Sequence, residues 1–395
     1  MTEPHKPTLT PSADALEQAP SAPRQGRVQE AWERLSENRL ALVGLAVFVV
    51  FFVVAVAGLL LTSGTEPVLD PAQIRLQEKL RPPMSSPLAE ALTPEEAPDL
   101  GIFLMGTDDL GRDVFARMLQ GAWVSLTVGF VAVGISVLIG IFMGGVAGYF
   151  GDRSLRRDQV AAAILFLIGG GLLASGLTGA GWVLMGAGLF YLVLMAPWLG
   201  RRFLTKRRHP TGASGLLLGR ALSMDTLIMR FVDIMLCFPS FFLILTVVAL
   251  LPASIYNIMI VIGLTSWMGA ARFVRAEFLS LREQDFVTAA RALGVSDWRI
   301  IFRHMIPNAV APVLVSATIG IATAILTEAG LSFLGFGVPP PHATWGNILS
   351  DGKRFIFDAP WLTFIPGTAI LIVVLSFNLF GEGLRDALNP KLRER

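Results

Sequence analysis

Uncharged stretches long enough to cross a lipid bilayer constrain this chain more than any other feature. Residues 40–61 run for 22 positions without an ionisable side chain. At 1.5 Å per residue such a helix matches a hydrocarbon core of about 30 Å. In lipid the backbone must satisfy its own hydrogen bonds, so apolar runs of this length become helices. Residues 123–150 form a second run, 308–327 a third and 360–381 a fourth. Residues 160–200 and 234–271 are too long for one crossing each. The first has three glycines between Ser175 and Gly181 and reads as a helical hairpin; the second breaks near Pro252. The expectation is an all-α polytopic membrane protein with eight spans. Composition agrees, with 53% hydrophobic residues, 16% charged residues and a mean hydropathy of +0.61. The lone cysteine, Cys237, excludes an intrachain disulfide.

Charge orients the spans. With residues 1–39 in the cytoplasm, 25 of the 32 Lys and Arg residues fall on the cytoplasmic side, as the positive-inside rule requires. Both termini are then cytoplasmic. The polar, proline-bearing start reads as a disordered tail, with a short basic amphipathic helix over 25–39 lying on the membrane. A cleaved signal peptide is disfavoured by the long polar lead and the length of the first run. The arginine-rich stretch 201–208 reads as a topology determinant and not as a nucleic-acid contact.

A polar segment, residues 283–308, interrupts the spans with the composition of an ordered helix pair. Residues 285–293 are good helix formers, and Gly294 suits a left-handed helix end. Ser296 is placed to cap a second helix, with Asp297 in its first turn. Trp298, Ile301, Phe302 and Met305 recur at three- and four-residue spacing, which predicts one shared apolar face. Arg291, Arg299 and Arg303 make a basic face, and Pro307 is expected to end the helix.

Here the sequence resembles a known family. Ala289-Ala290, Gly294 and Pro307 match the EAA loop of ABC importer permeases, and the wording AARALGVSDWRIIFRHMIPN is similar to the oligopeptide/dipeptide/nickel branch. GTDDLGRDVFARMLQGAWVSL, MRFVDIMLCFPSFFL and EAGLSFLGFGVPPP extend the likeness over most of 40–150 and 225–390. The resemblance implies a six-helix type I importer domain whose loop docks as a coupling helix in a groove of an ATPase subunit. It assigns ATPase coupling to Ala289, Ala290, Gly294, Asp297, Trp298 and Pro307. It also implies a second homologous permease, two ATP-binding subunits and an extracytoplasmic substrate-binding protein docking on 62–122 and 331–359. One departure is Thr288, where the family has Glu. Another is 153–222, which adds a basic-flanked two-span hairpin to the family's six spans. The organisation is therefore a tail (1–39), the first two spans with their loop (40–152), the inserted hairpin (153–222), four further spans (223–382) and a tail (383–395).

Other features weigh less. Gly140, Gly144 and Gly148 make a small-residue face suited to close helix packing, inside the subunit or across a dimer. Asp108, Asp109 and Asp113 fit a turn and a helix cap better than a metal site. Glu328 and Asp233 lie at span ends and favour interfacial or ion-paired roles over substrate contact. His5, His209, His304 and His342 are scattered and form no metal-ligand spacing. No phosphate-cradling G-x-x-x-x-G-K-[ST] and no nucleophile motif occurs, so ATP and Mg are expected on partner chains and no cofactor here. The rival reading, a secondary transporter driven by an ion gradient, wants carboxylates or broken helices near the bilayer midplane, and the apolar runs carry no mid-span charge.

Overall fold

A computed structural model describes residues 27–64, 67–88, 100–151, 154–156 and 220–388, with isolated positions 185 and 189. The tail before 27, the tail after 388 and the hairpin expected within 153–222 lie outside the described residues, apart from the ends of that segment. Five described helices are long and apolar enough to cross a membrane, and a bent pair makes a sixth. That number equals the expected spans outside the inserted segment.

The first helix, α1 (Arg27–Glu37), falls where an amphipathic helix is expected. Its surroundings are not basic, because Arg27, Arg34 and Arg39 are offset by Glu30, Glu33 and Glu37. Leu35 packs with Ala41 and Ala387, which docks α1 onto the last helix. Asn38 ends α1 and caps α2 (Arg39–Thr62), its side-chain oxygen accepting from the amides of Leu40 and Ala41. α3 (Val114–Phe150) starts nine residues before the uncharged run, because Asp113 caps it by accepting from the Phe115 amide at 2.8 Å. Its 37 residues make a rod of about 55 Å.

At the end of α3 the chain forms β1 (Ser154–Arg156), antiparallel to β2 (Arg220–Ser223) with Ser154 opposite Ser223 and Arg156 opposite Arg220. The chain therefore leaves the described residues after Arg156 and re-enters them at Arg220 side by side. α4 (Met224–Leu236) and α5 (Ser240–Leu250) meet at 82°, so this expected straight span is bent. Pro239 explains the break, since it has no amide hydrogen and disfavours helix at Phe238. A second break precedes α6 (Ile255–Arg282), at Pro252 as expected.

α6 runs past its apolar stretch without interruption. On that extension Arg272 pairs with Asp233 and Arg275 binds Asp225 through two nitrogens, which fastens α4 alongside. α7 (Asp285–Ala292), α8 (Asp297–Ile300) and α9 (Ile306–Phe333) follow. A short α10 (Trp345–Gly352) tucks under α9, and α11 (Trp361–Leu388) closes the bundle.

The α3–α6 contact is the most extensive among the described helices, and glycines let the two helices approach closely. A Cβ added at Gly140 would sit 2.6 Å from the Ala270 Cβ; at Gly144, 2.4 Å from the Ala271 carbonyl oxygen; at Gly148, 2.6 Å from the Phe278 Cβ. The glycine face thus packs within the subunit, onto α6. The main core joins Val128, Ala132, Ile258, Ile262, Ile325 and Phe377 from four of the helices.

Candidate functional site

The polar segment between α6 and α9 folds into a sharply bent helix pair. Gly294 adopts a φ of +73°. Its amide donates to the Arg291 carbonyl at 3.0 Å, and the Val295 amide donates to the Ala290 carbonyl at 3.1 Å. These are the two bonds of a Schellman helix end, which requires a left-handed residue at the bend. Ser296 follows as the N-cap of α8, but its side chain makes no capping bond.

Pro307 does not end the second helix, contrary to expectation. Residues Asp297–Phe333 form one continuous helix of 37 residues. Ile301–Met305 is a π-turn, and the Ile306 amide bonds to the Ile301 carbonyl. Proline is tolerated near a helix start because amides there lack intrahelical partners, and the wide turn recreates that situation inside a continuous helix. The segment therefore continues into α9 without a break in the helix.

The expected single apolar face is also corrected. Ile301 and Met305 are buried, together with Val287, Ala290 and Ile300, against Val274 and Phe278 of α6. Trp298 and Phe302 instead point outward, 53% and 58% exposed, with rings stacked at 5.8 Å. Leu293 beside them is 82% exposed. The π-turn lies across the boundary between the two sets and departs from the α-helical spacing on which the one-face expectation rested.

The expected coupling residues take different environments. Ala289 is exposed, whereas Ala290 is packed inside. Thr288 is exposed and donates its hydroxyl to the Asp285 carbonyl at 2.9 Å. Asp297 is half-buried and accepts a 2.7 Å hydrogen bond from the Tyr149 hydroxyl. Gly294, Trp298 and Pro307 are exposed, as are Arg291, Arg299 and Arg303.

At the other end of α3 is an ion-pair network with no counterpart in the sequence reading. Asp108, fully buried, accepts from the Leu110 and Arg112 amides and from the guanidinium groups of Arg112 and Arg117. Both arginines also reach Asp351 of α10, at 3.3 and 3.0 Å. Asp108 and Asp113 are thus structural, as expected, and among the described residues no group of His, Cys, Asp and Glu gathers to hold a metal. Asp109 next to them has its carboxyl raised above the usual range by burial, with the Asp108 and Asp351 charges adding to the effect.

Glu328 departs from the expectation of an interfacial or ion-paired role. It is fully buried, receives the Ser332 hydroxyl at 2.7 Å and lies 3.4 Å from the Ser125 hydroxyl. Ser125 also accepts from the Trp345 amide at 3.4 Å, and the Trp345 indole donates to the Met118 carbonyl at 3.2 Å. The carboxyl thus ties α9, α3 and α10 together. Asp233 keeps the expected ionic role, with Arg272 added to Arg230. The paired residues were legible only as types, because their partners are separated by up to 239 positions in sequence.

The family model described as "Binding-protein-dependent transport system inner membrane component" matches residues 213–394. A second, "N-terminal TM domain of oligopeptide transport permease C", matches residues 26–83. The dipeptide transport system permease protein DppC of Alkalihalophilus pseudofirmus is 34% identical over 392 residues, covering 99% of each chain. The oligopeptide transport system permease protein OppC of Bacillus subtilis is 30% identical over 366 residues, 93% of this chain and 90% of that one. The di/tripeptide transport system permease protein DppC of Pseudomonas aeruginosa is 31% identical over 374 residues, 95% of each. With its apolar helices, bent polar segment and similarity along the whole chain, this protein belongs to the family of inner-membrane permease components of binding-protein-dependent ABC importers.

Proposed function

We propose that this chain is one of two homologous permeases through which an ABC importer passes peptides, or a related small solute, into the cytoplasm. Two separate ATPase chains bind ATP and Mg and supply the energy. An extracytoplasmic binding protein delivers the solute to loops 62–122 and 331–359. Both termini lie in the cytoplasm, where the α7–α8 bend docks on an ATPase chain.

The observation that carries this reading is the α7–α8 segment itself. It offers Leu293, Trp298 and Phe302 outward beside Arg299 and Arg303, and it continues as one helix into the bundle. Exposed aromatic and arginine side chains on a rigid support are the anchors that protein interfaces favour. With Thr288 in the family's Glu position, the aromatic pair and the arginines carry the contact.

Substituting Gly294→Asp tests the docking face. Asp is among the side chains that tolerate a positive φ, and nothing lies within 4 Å of a Cβ placed there. The change places a charge on the face without a clash, at the cost of some backbone strain at φ +73°. Uptake of a labelled dipeptide is expected to be lost while the protein stays in the membrane. Wild-type uptake would remove the coupling role, and a tag at Ser296 reached from outside the cell would remove the topology.

A further inference from the structure

Tyr149 is buried at the last turn of α3, 4% exposed, where it touches both arms of the bent segment. Its hydroxyl donates to Asp297 of α8 at 2.7 Å. The Arg291 guanidinium of α7 lies over its ring, 4.9 Å from the centroid. Phe150 meets the same ring edge-on at 4.8 Å and reaches toward Trp298 at 6.3 Å. Packing of α7 on α6 needs only apolar contact, and Val287 and Ala290 provide it. A phenol buried between a carboxylate and a guanidinium adds directional bonds to a different helix.

The neighbouring contacts extend that grip. Gly148, one residue earlier, lets α3 close onto Phe278 and Arg275 of α6, and Gly144 and Gly140 continue the seam upward. α6 leads into α7, and α8 runs unbroken into α9. Tyr149 thus stands where the α3–α6 seam meets the bend.

We infer that Tyr149 is a positioning residue that makes α3 move with the coupling segment, so that α3, α6 and α9 shift as one body when the ATPases close. This rests on the coupling role proposed above. Without the Tyr149–Asp297 bond, α8 and α9 still follow the ATPase, but at this end α3 is held to them only through its seam with α6. A hydrogen bond to a charged group in a partly buried setting is among the stronger single contacts available for such a link.

The test uses the assembled importer in lipid nanodiscs, in a Cys237→Ser background. Spin labels are placed at Leu138→Cys on α3 and Leu375→Cys on α11, both exposed positions outside the proposed block's internal contacts. Vanadate trapping with ATP is expected to change the label-to-label distance in the parent complex. Tyr149→Phe, which removes one oxygen and keeps the ring, is expected to cut that change by half or more while ATP hydrolysis continues. Asp297→Ala should cut the distance change to the same extent, and Asp297→Asn, which keeps an acceptor oxygen, should restore the parent distance change. Imported peptide per ATP is expected to fall about 2- to 30-fold in the two loss variants, the range for single residues in coupled networks. A full distance change in both Tyr149→Phe and Asp297→Ala would overturn the inference and leave the coupling role standing. A parent complex with no distance change would overturn both.

Discussion

Two substitutions of one kind on one helix should have opposite effects. Gly134 and Gly144 both lie in α3, but a Cβ at Gly134 meets nothing within 4 Å, whereas at Gly144 it lies 2.4 Å from the Ala271 carbonyl oxygen and 2.9 Å from the Val274 Cβ. Ordinary contact begins near 3.4 Å, so in Gly144→Ala the two helices must part by roughly 1 Å. A gap of that size forfeits about a quarter to a half of each dispersion contact it opens. Overpacking of this kind costs about 1–3 kcal/mol. Alanine returns about 0.8–1 kcal/mol of helix propensity at either site. Gly134→Ala is therefore expected to be neutral or to stabilise by up to about 1 kcal/mol, and Gly144→Ala to destabilise by about 0–2 kcal/mol. Their difference cancels propensity and leaves the seam's own contribution, about 1–3 kcal/mol. Titrating purified protein in mild detergent with sodium dodecyl sulfate, followed by circular dichroism, gives the two midpoints. Equal midpoints, or a higher one for Gly144→Ala, would refute the close packing of α3 on α6.

Asp108→Asn keeps the side-chain volume but removes the charge between Arg112 and Arg117. Breaking a buried pair leaves an uncompensated charge and costs about 3–5 kcal/mol, so a clear drop in melting temperature is expected; an unchanged one would show that the network is dispensable. Asp109 predicts the opposite sign. Its carboxyl is raised above the ordinary 3.8 by burial, so between the ordinary and the raised value the folded state binds more proton than the unfolded state. Stability then falls as pH rises from about the ordinary value through the raised one. Asp109→Asn should remove that loss, and its melting temperature should exceed the parent's at pH 7 by more than at pH 4. Replacing residues 157–219 by Asn-Gly, a turn suited to closing the β1–β2 pair, should leave co-purification with the ATPase chains intact. Loss of the ATPase would assign residues 157–219 a role in assembly.

Most of the architecture was legible because lipid leaves the chain few options. An uncharged run of 22 residues has one stable outcome, and the positions of the apolar stretches followed from that alone. Gly294 was legible for a similar reason, since a glycine after a helix-forming run commonly adopts a left-handed φ. The errors arose where two local rules competed. Proline lacks an amide hydrogen, which locally predicts a stop at Pro307, yet a π-turn over Ile301–Met305 lets the helix pass. The same turn upset the four-residue spacing that grouped Trp298 and Phe302 with Ile301 and Met305. Partnerships were beyond reach. Nothing near Tyr149 in sequence points to Asp297, and nothing near Arg117 points to Asp351, because each pair is formed only when distant helices pack.

The passage through Pro307 bears on how force reaches the bundle. A helix broken at that proline would leave the docking face on a flexible joint, and motion there would be absorbed by backbone rotation. The π-turn instead makes the 37 residues Asp297–Phe333 one rod of about 55 Å. At its far end Glu328, held by the Ser332 hydroxyl of the same helix, accepts from the Ser125 hydroxyl of α3. Arg117 of α3 is bound in turn to Asp108 and Asp351. Two rods joined at both ends, by Tyr149 below and Glu328 above, resist sliding and favour tilting as a pair. Packed interfaces switch between discrete arrangements and do not deform continuously. Under the coupling role, a small displacement at Trp298 is therefore carried the length of the bundle as a tilt, and cutting either tie should turn that tilt into local slip.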